Sequence, residues 1–133
     1  FLSRVVGMQT ALEWCYTAQL ISAETALEGG LVRSLHEPET LIADARALAK
    51  GFISGSAPVS ATLTRQMMWR GLGASHPMEA HRIDSRAVVA QGRGPDVAEG
   101  IMSFLEKRPP TWTQSVPSDL PDWYPWWDEP RFT

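Results

Sequence analysis

Residues 20–32, LISAETALEGGLV, constrain this chain most tightly, because both ends of a short helix are marked there. The Ser22 hydroxyl can accept a hydrogen bond from an orphan backbone N–H of the first turn, which makes it a good N-cap. Ala23, Ala26 and Leu27 then share one helical face. Gly29 and Gly30 stop the helix, since one glycine can take the left-handed C′ position without a Cβ penalty. Leu31 and Val32 leave as a short extended apolar step. Taken alone, this is a sharp corner in a helical domain and carries no chemistry.

Helical spacing also governs the chain on either side, so the expected fold class is all-α, with five or six helices. Residues 1–6 are a short apolar lead, helical or turn-like. Residues 7–18 read as a helix that buries Met8, Ala11, Leu12 and Cys15, with Ala18 at its end. Trp14 and Tyr16 lie off that stripe, to meet a second surface or to stay partly exposed. Pro38 suits the first turn of the clearest helix, which runs to about residue 52. Leu41, Ile42, Ala45, Leu48, Ala49 and Phe52 form its apolar stripe. Each large side chain buried there would contribute about 1.5–3 kcal/mol before entropy. Further helices are expected over 59–72, 78–90 and from Pro95 or Asp96 to about 106. In the helix over 78–90 the apolar residues face more than one side, which hints at an oligomer contact. Pro109-Pro110 closes the last helix, because proline disfavours a helical conformation in the residue before it.

The composition changes at residue 111. Residues 111–133 hold Trp112, Trp123, Trp126, Trp127 and Tyr124 among four prolines. Such a segment is extended, and its aromatic load suits it to lie across the body of its own subunit or of a neighbour. The expected division is therefore 1–110 and 111–133. An apolar share of 44% argues against disorder, and a net charge of −3 gives no nucleic-acid footprint. No apolar run is long enough to span a bilayer. Cys15, the single cysteine, excludes an intrachain disulfide. The start FLSRVVG lacks both Met and a signal-peptide layout, as a truncated or proteolysed product would.

GMQTALEW, LISAETALEGGLV and EGIMSFLEKRPP, in that order and spacing, resemble the C-terminal half of the enoyl-CoA hydratase/isomerase (crotonase) family. The resemblance covers nearly everything from residue 1 to 110. It implies the C-terminal helical, trimerising region of a crotonase-like fold. The ββα-spiral core, the two oxyanion-hole donors and the usual catalytic carboxylates would precede this stretch. The implied parent reaction is enolate-stabilised chemistry on an acyl-CoA thioester, most simply hydration of a trans-2-enoyl-CoA, with this chain alone inactive. Isomerase, dehalogenase or decarboxylase chemistry is the alternative within the family. A self-standing helical oligomerisation or interaction module is the alternative outside it. The implied partners are acyl-CoA and further copies of the chain, a trimer or hexamer, with no nucleic acid and no membrane. No covalently bound cofactor is expected beyond the coenzyme A moiety of the substrate, and the expected location is cytoplasmic.

Each candidate residue has a plain structural reading beside the chemical one. Hydration needs one or two carboxyl groups as general acid and base, and N–H donors for the enolate. None of Glu13, Glu24, Glu28, Asp44, Glu79, Asp84, Asp96, Glu99 and Glu106 matches the family's catalytic glutamates, and all read as surface residues. No catalytic residue is assigned. His76 and His81 diverge on a helix and lack HExxH spacing, so no metal site is expected. Cys15, on a buried face, reads as inert. Lys107 and Arg108 can simply face the helix C-terminal dipole. The resemblance instead implies that Phe104 and Lys107, with Arg108, meet the adenine-phosphate end of coenzyme A. The resemblance also makes Met67, Met68, Trp69 and Phe104 candidates for lining the acyl channel, although core packing suits Met67 and Met68 better.

Overall fold

A computed structural model describes residues 1–132. Among them there are seven helices and no strand, in line with the all-α expectation and beyond the five or six helices anticipated. The chain forms two units, Phe1–Leu48 and Ala49–Thr133. The change in composition at residue 111 therefore falls inside the second unit.

The first unit begins with α1 (Leu2–Val6) and α2 (Met8–Thr17), separated at Gly7, whose φ of 83° breaks the helix. Ala11 is the buried residue of α2, while Met8 is 63% exposed and Cys15 is exposed as well. The expectation of a buried cysteine is thus corrected: α2 offers a wide apolar stripe, and only its inner edge is covered. In α3 (Ala23–Glu28) both end signals act as the sequence indicates. Ser22 Oγ accepts from the Thr25 N–H at 3.1 Å. Gly30 is left-handed at φ 74°, the Leu31 N–H bonds to Ala26 O at 2.8 Å, and the Gly30 N–H bonds to Leu27 O at 3.0 Å. That pair of bonds is a Schellman motif. Gly29 serves differently: a Cβ there would meet the Trp14 ring at 2.7 Å. Trp14 thus lies on the end of α3.

The loop after α3 is cross-braced. Ser34 Oγ lies 2.7 Å from His36 Nε2, and His36 Nδ1 lies 2.7 Å from Asp44 Oδ2. The helix α4 (Leu41–Gly55) starts three residues later than expected, because Pro38 opens a turn in which the Thr40 and Leu41 N–H groups share the Glu37 carbonyl. Its apolar stripe is uncovered: Ile42 is 60% exposed and Phe52 61%. The burial anticipated for it is absent within the described residues.

The second unit is built on α5 (Pro58–Gly71), α6 (Pro77–Gly92) and α7 (Pro95–Glu106). Each opens on a proline, whose missing N–H costs nothing in a first turn. At α6 the His76 ring Nδ1 accepts the Met78 N–H, and the Glu79 carboxylate reaches back to the Ser75 N–H and hydroxyl. These bonds hold the Glu79 pKa below its ordinary value. Val59 and Leu63 of α5 and Ala87 of α6 form the core. The aromatic segment returns over it, bringing Leu120, Trp123, Tyr124 and Trp126 against those residues. Arg70 stacks on Trp127 at 3.4 Å from the ring centroid, and Arg86 on Trp123 at 4.7 Å. Such stacking adds about 0.5–1 kcal/mol at exposed sites.

Substituting Gly29→Ala forces the Trp14 indole outward and should lower stability by about 1–3 kcal/mol. Gly30→Ala should destabilise through backbone strain alone. Thermal melts of both, with Trp14 emission shifting in the first variant only, check this assignment.

Candidate functional site

The C-terminal end of α7 gathers the aromatic and basic residues singled out by sequence. Phe104 is 81% exposed. Behind it the helix closes on Lys107, which is left-handed at φ 53°. The Arg108 N–H bonds to Ser103 O at 3.0 Å and the Lys107 N–H to Phe104 O at 3.3 Å, the same closure made at Gly30. Here the left-handed residue carries a long side chain, a conformation that costs an L-residue roughly 1–2 kcal/mol. The Lys107 ammonium makes no ion pair among the described residues.

Arg108 is fully engaged. Its Nη1 and Nη2 donate to the two Glu99 carboxylate oxygens at 2.6 and 2.9 Å, and its Nε donates to Glu106 at 2.6 Å. The Thr111 N–H also donates to Glu99, at 2.6 Å. The Arg108 hydrogen bonds, followed by that of Thr111, hold the Glu99 pKa at about 2. The hydrogen bonds to Glu99, followed by that to Glu106, raise the Arg108 pKa. This clasp ties the helix end to the segment that follows it, and among the described residues Lys107 is the one of the two basic residues without an ion pair.

Asp96 departs from its reading as a surface residue: it is 4% exposed. Its Oδ1 accepts from the Thr113 N–H at 2.8 Å, the Thr113 hydroxyl at 3.0 Å and the Gln114 N–H at 3.4 Å. A carboxylate in the first turn of a helix is also favoured by the helix dipole. Asp96 lies on the wall of an open groove of about 640 Å³, with Val88, Val97, Ile101, Phe104, Leu105 and Trp112. Trp112 crosses Gly100, where a Cβ would stand 3.6 Å from the ring.

The other acyl-channel candidates do not join Phe104. Met67 packs against the core. Met68 and Trp69 line a second groove of about 580 Å³ with Phe52 and Arg65. Ser60 lies on the wall of both grooves. Among the described residues no group of three or more His, Cys, Asp or Glu is placed to hold a metal, and no helix is long and apolar enough to cross a membrane. Sequence reasoning missed the Asp96 anchor and the Glu99–Arg108 pair. The signal for the first was an acidic residue directly after a helix-opening proline. The second joins residues nine apart across a helix end, where helical spacing gives no guidance.

Solved structures define the class of this architecture. The chain is similar to a probable enoyl-CoA hydratase/isomerase from Mycobacterium abscessus, with TM-score 0.76 and 29% identity, over 86% of this chain and 44% of that one. It is similar to the enoyl-CoA hydratase from Bacillus anthracis, with TM-score 0.76 and 28% identity, over 84% and 42%. These are crotonase-fold proteins. The sequence model described as Enoyl-CoA hydratase/isomerase matches residues 1–115, and the chain belongs to that family. The short-chain-enoyl-CoA hydratase of Clostridium acetobutylicum is 36% identical over 107 residues, 80% of this chain and 40% of that protein. The enoyl-CoA hydratase domain-containing protein 3, mitochondrial, of Xenopus laevis is 33% identical over 86% of this chain and 38% of its own length. The chain thus spans about two fifths of the curated relatives it matches.

Because the folded Glu99 pKa lies below its ordinary 4.5, the clasp's contribution is complete above about pH 4.5 and is lost as pH falls through about 2. An NMR titration of the Glu99 carboxyl should show its midpoint near 2. In Arg108→Leu that midpoint should return towards 4.5.

Proposed function

We propose that this chain is the C-terminal helical region of a family protein that acts on acyl-CoA thioesters through a stabilised enolate, most simply hydrating a trans-2-enoyl-CoA. Family membership supports the reaction class, and the end of α7 supports the coenzyme A contact. There Phe104 is exposed, and three residues on, Lys107 ends the helix in a left-handed conformation. Phe104 supplies an apolar face for adenine, and Lys107 a point charge for phosphate. Arg108, occupied by Glu99 and Glu106, positions Lys107 by closing the helix end. Met68 and Trp69 line a wall suited to an acyl chain, while Met67 acts in the core.

Enolate chemistry requires converging N–H donors and at least one carboxyl group free to move a proton. In this chain Glu99 is bound to Arg108, Asp96 to Thr113, and Asp44 to His36. We assign the proton transfers to the other part of the family protein, and expect little turnover from this chain alone. The uncovered stripe on α4 supports a homo-oligomer, a trimer or hexamer, because exposed apolar patches drive association.

Lys107→Gly separates binding from folding. It relieves the left-handed lysine, so stability should rise by about 1 kcal/mol. Affinity for adenosine 3′,5′-bisphosphate, measured by calorimetry, should fall about tenfold if one phosphate contact is lost. Unchanged affinity would remove Lys107 from the site. Size-exclusion chromatography with light scattering should give a mass above that of one chain, and a clean monomer at high concentration would count against the oligomer.

A further inference from the structure

The brace in the first unit has an arrangement that its family membership does not call for. Ser34 Oγ, the His36 ring and the Asp44 carboxylate stand in series, with both links 2.7 Å long. One tautomer satisfies both contacts: His36 Nδ1–H donates to Asp44, and Nε2 accepts the Ser34 hydroxyl proton. That is the arrangement in which an imidazole withdraws a serine proton while a carboxylate fixes the ring. Asp44 stands in the first turn of α4, which gives the base a rigid support.

All three residues line one groove of about 450 Å³. Leu41, Ala45 and Leu48 form its apolar wall, at successive turns of α4. They cover about 10 Å of helix, room for an acyl chain of a few carbons. Arg33 lines the same groove and makes no ion pair among the described residues, so its positive charge is available to a developing oxyanion. Among those residues the backbone N–H groups of Ser34 and Leu35 make no backbone hydrogen bond either. The His36 side chain is 29% exposed and that of Asp44 46%, so water reaches the base.

We propose that Ser34, His36 and Asp44 form a nucleophilic site that hydrolyses short-chain carboxylic esters. Ser34 Oγ bonds to the carbonyl carbon as its proton passes to His36 Nε2. The ester C–O bond then breaks, and His36 returns the proton to the departing alcohol oxygen, leaving the acyl group on Ser34. Water adds to that acyl ester while His36 takes its proton. Ser34 Oγ leaves, recovers the proton, and the carboxylic acid departs. The sum is ester plus water giving acid plus alcohol, with no redox partner.

The probe is p-nitrophenyl butyrate with the full chain, read by release of nitrophenolate, alongside labelling with a fluorophosphonate and peptide mass mapping. The expected result is turnover above buffer, a single adduct on Ser34, and loss of both in Ser34→Ala, with the rate falling by about a hundredfold or more. Asp44→Asn should lower the rate with Ser34 still present, since the ring loses its orienting partner. Thermal melts should show Ser34→Ala folded, and Ser34→Cys, which keeps a nucleophile, should accumulate a butyryl adduct. Turnover at the buffer rate overturns the proposal. So does an adduct on another residue, or activity that survives Ser34→Ala and disappears in His36→Ala, which marks the imidazole itself as nucleophile.

Discussion

Asp96 stands in the first turn of α7 with one carboxylate oxygen taking hydrogen bonds from Thr113 and Gln114. Burying a carboxylate is costly without donors, and here three reach Oδ1 from the segment that follows the helix, while Oδ2 is buried without a partner among the described residues. The start of the aromatic tail is therefore tied to α7 by contacts separate from the aromatic ones. Arg108 closes the same corner from the other end of the helix, through Glu99 and Thr111. Two polar attachments thus aim the chain back over α5 and α6, where Trp123, Tyr124 and Trp126 cover Val59 and Leu63. Without them a proline-rich segment lacking regular hydrogen bonds would have no fixed path.

The two units differ in how much they cover for themselves. The second has its tail as a lid on a small core. The first buries Ala11, and leaves Leu41 and Ile42 open to solvent. Amphipathic helices obtain most of their stability from what lies on the apolar face rather than from propensity. The apolar face of α4 is therefore left without a cover among the described residues.

Helix ends were the most legible part of the sequence. Ser22, Gly30 and Pro95 act locally, through one hydrogen bond or one backbone angle, and the structure places each where its chemistry suggests. Which faces are covered was less legible. Periodicity shows that Leu41, Ile42 and Phe52 share a side, but not what meets that side. The apolar stripe of α2 misled about Cys15 for the same reason. The candidate site was legible in part: Phe104 and Lys107 came from a motif, whereas the role of Arg108 depends on Glu99, across the helix end. The Ser34–His36–Asp44 series has no local motif, because its third member joins only after the turn at Pro38 brings α4 back.

Trp126 and Trp127 meet nearly at right angles, with ring centroids 4.9 Å apart, and Tyr124 stands edge-on to both. Indoles so close and so oriented couple as chromophores, and the tail therefore carries its own optical reporter. A split aromatic band in circular dichroism belongs to the closed tail, while the far-ultraviolet helical signal belongs to α1–α7. Comparing the two along one denaturant series would show whether the lid and the helices open in one cooperative step or in sequence.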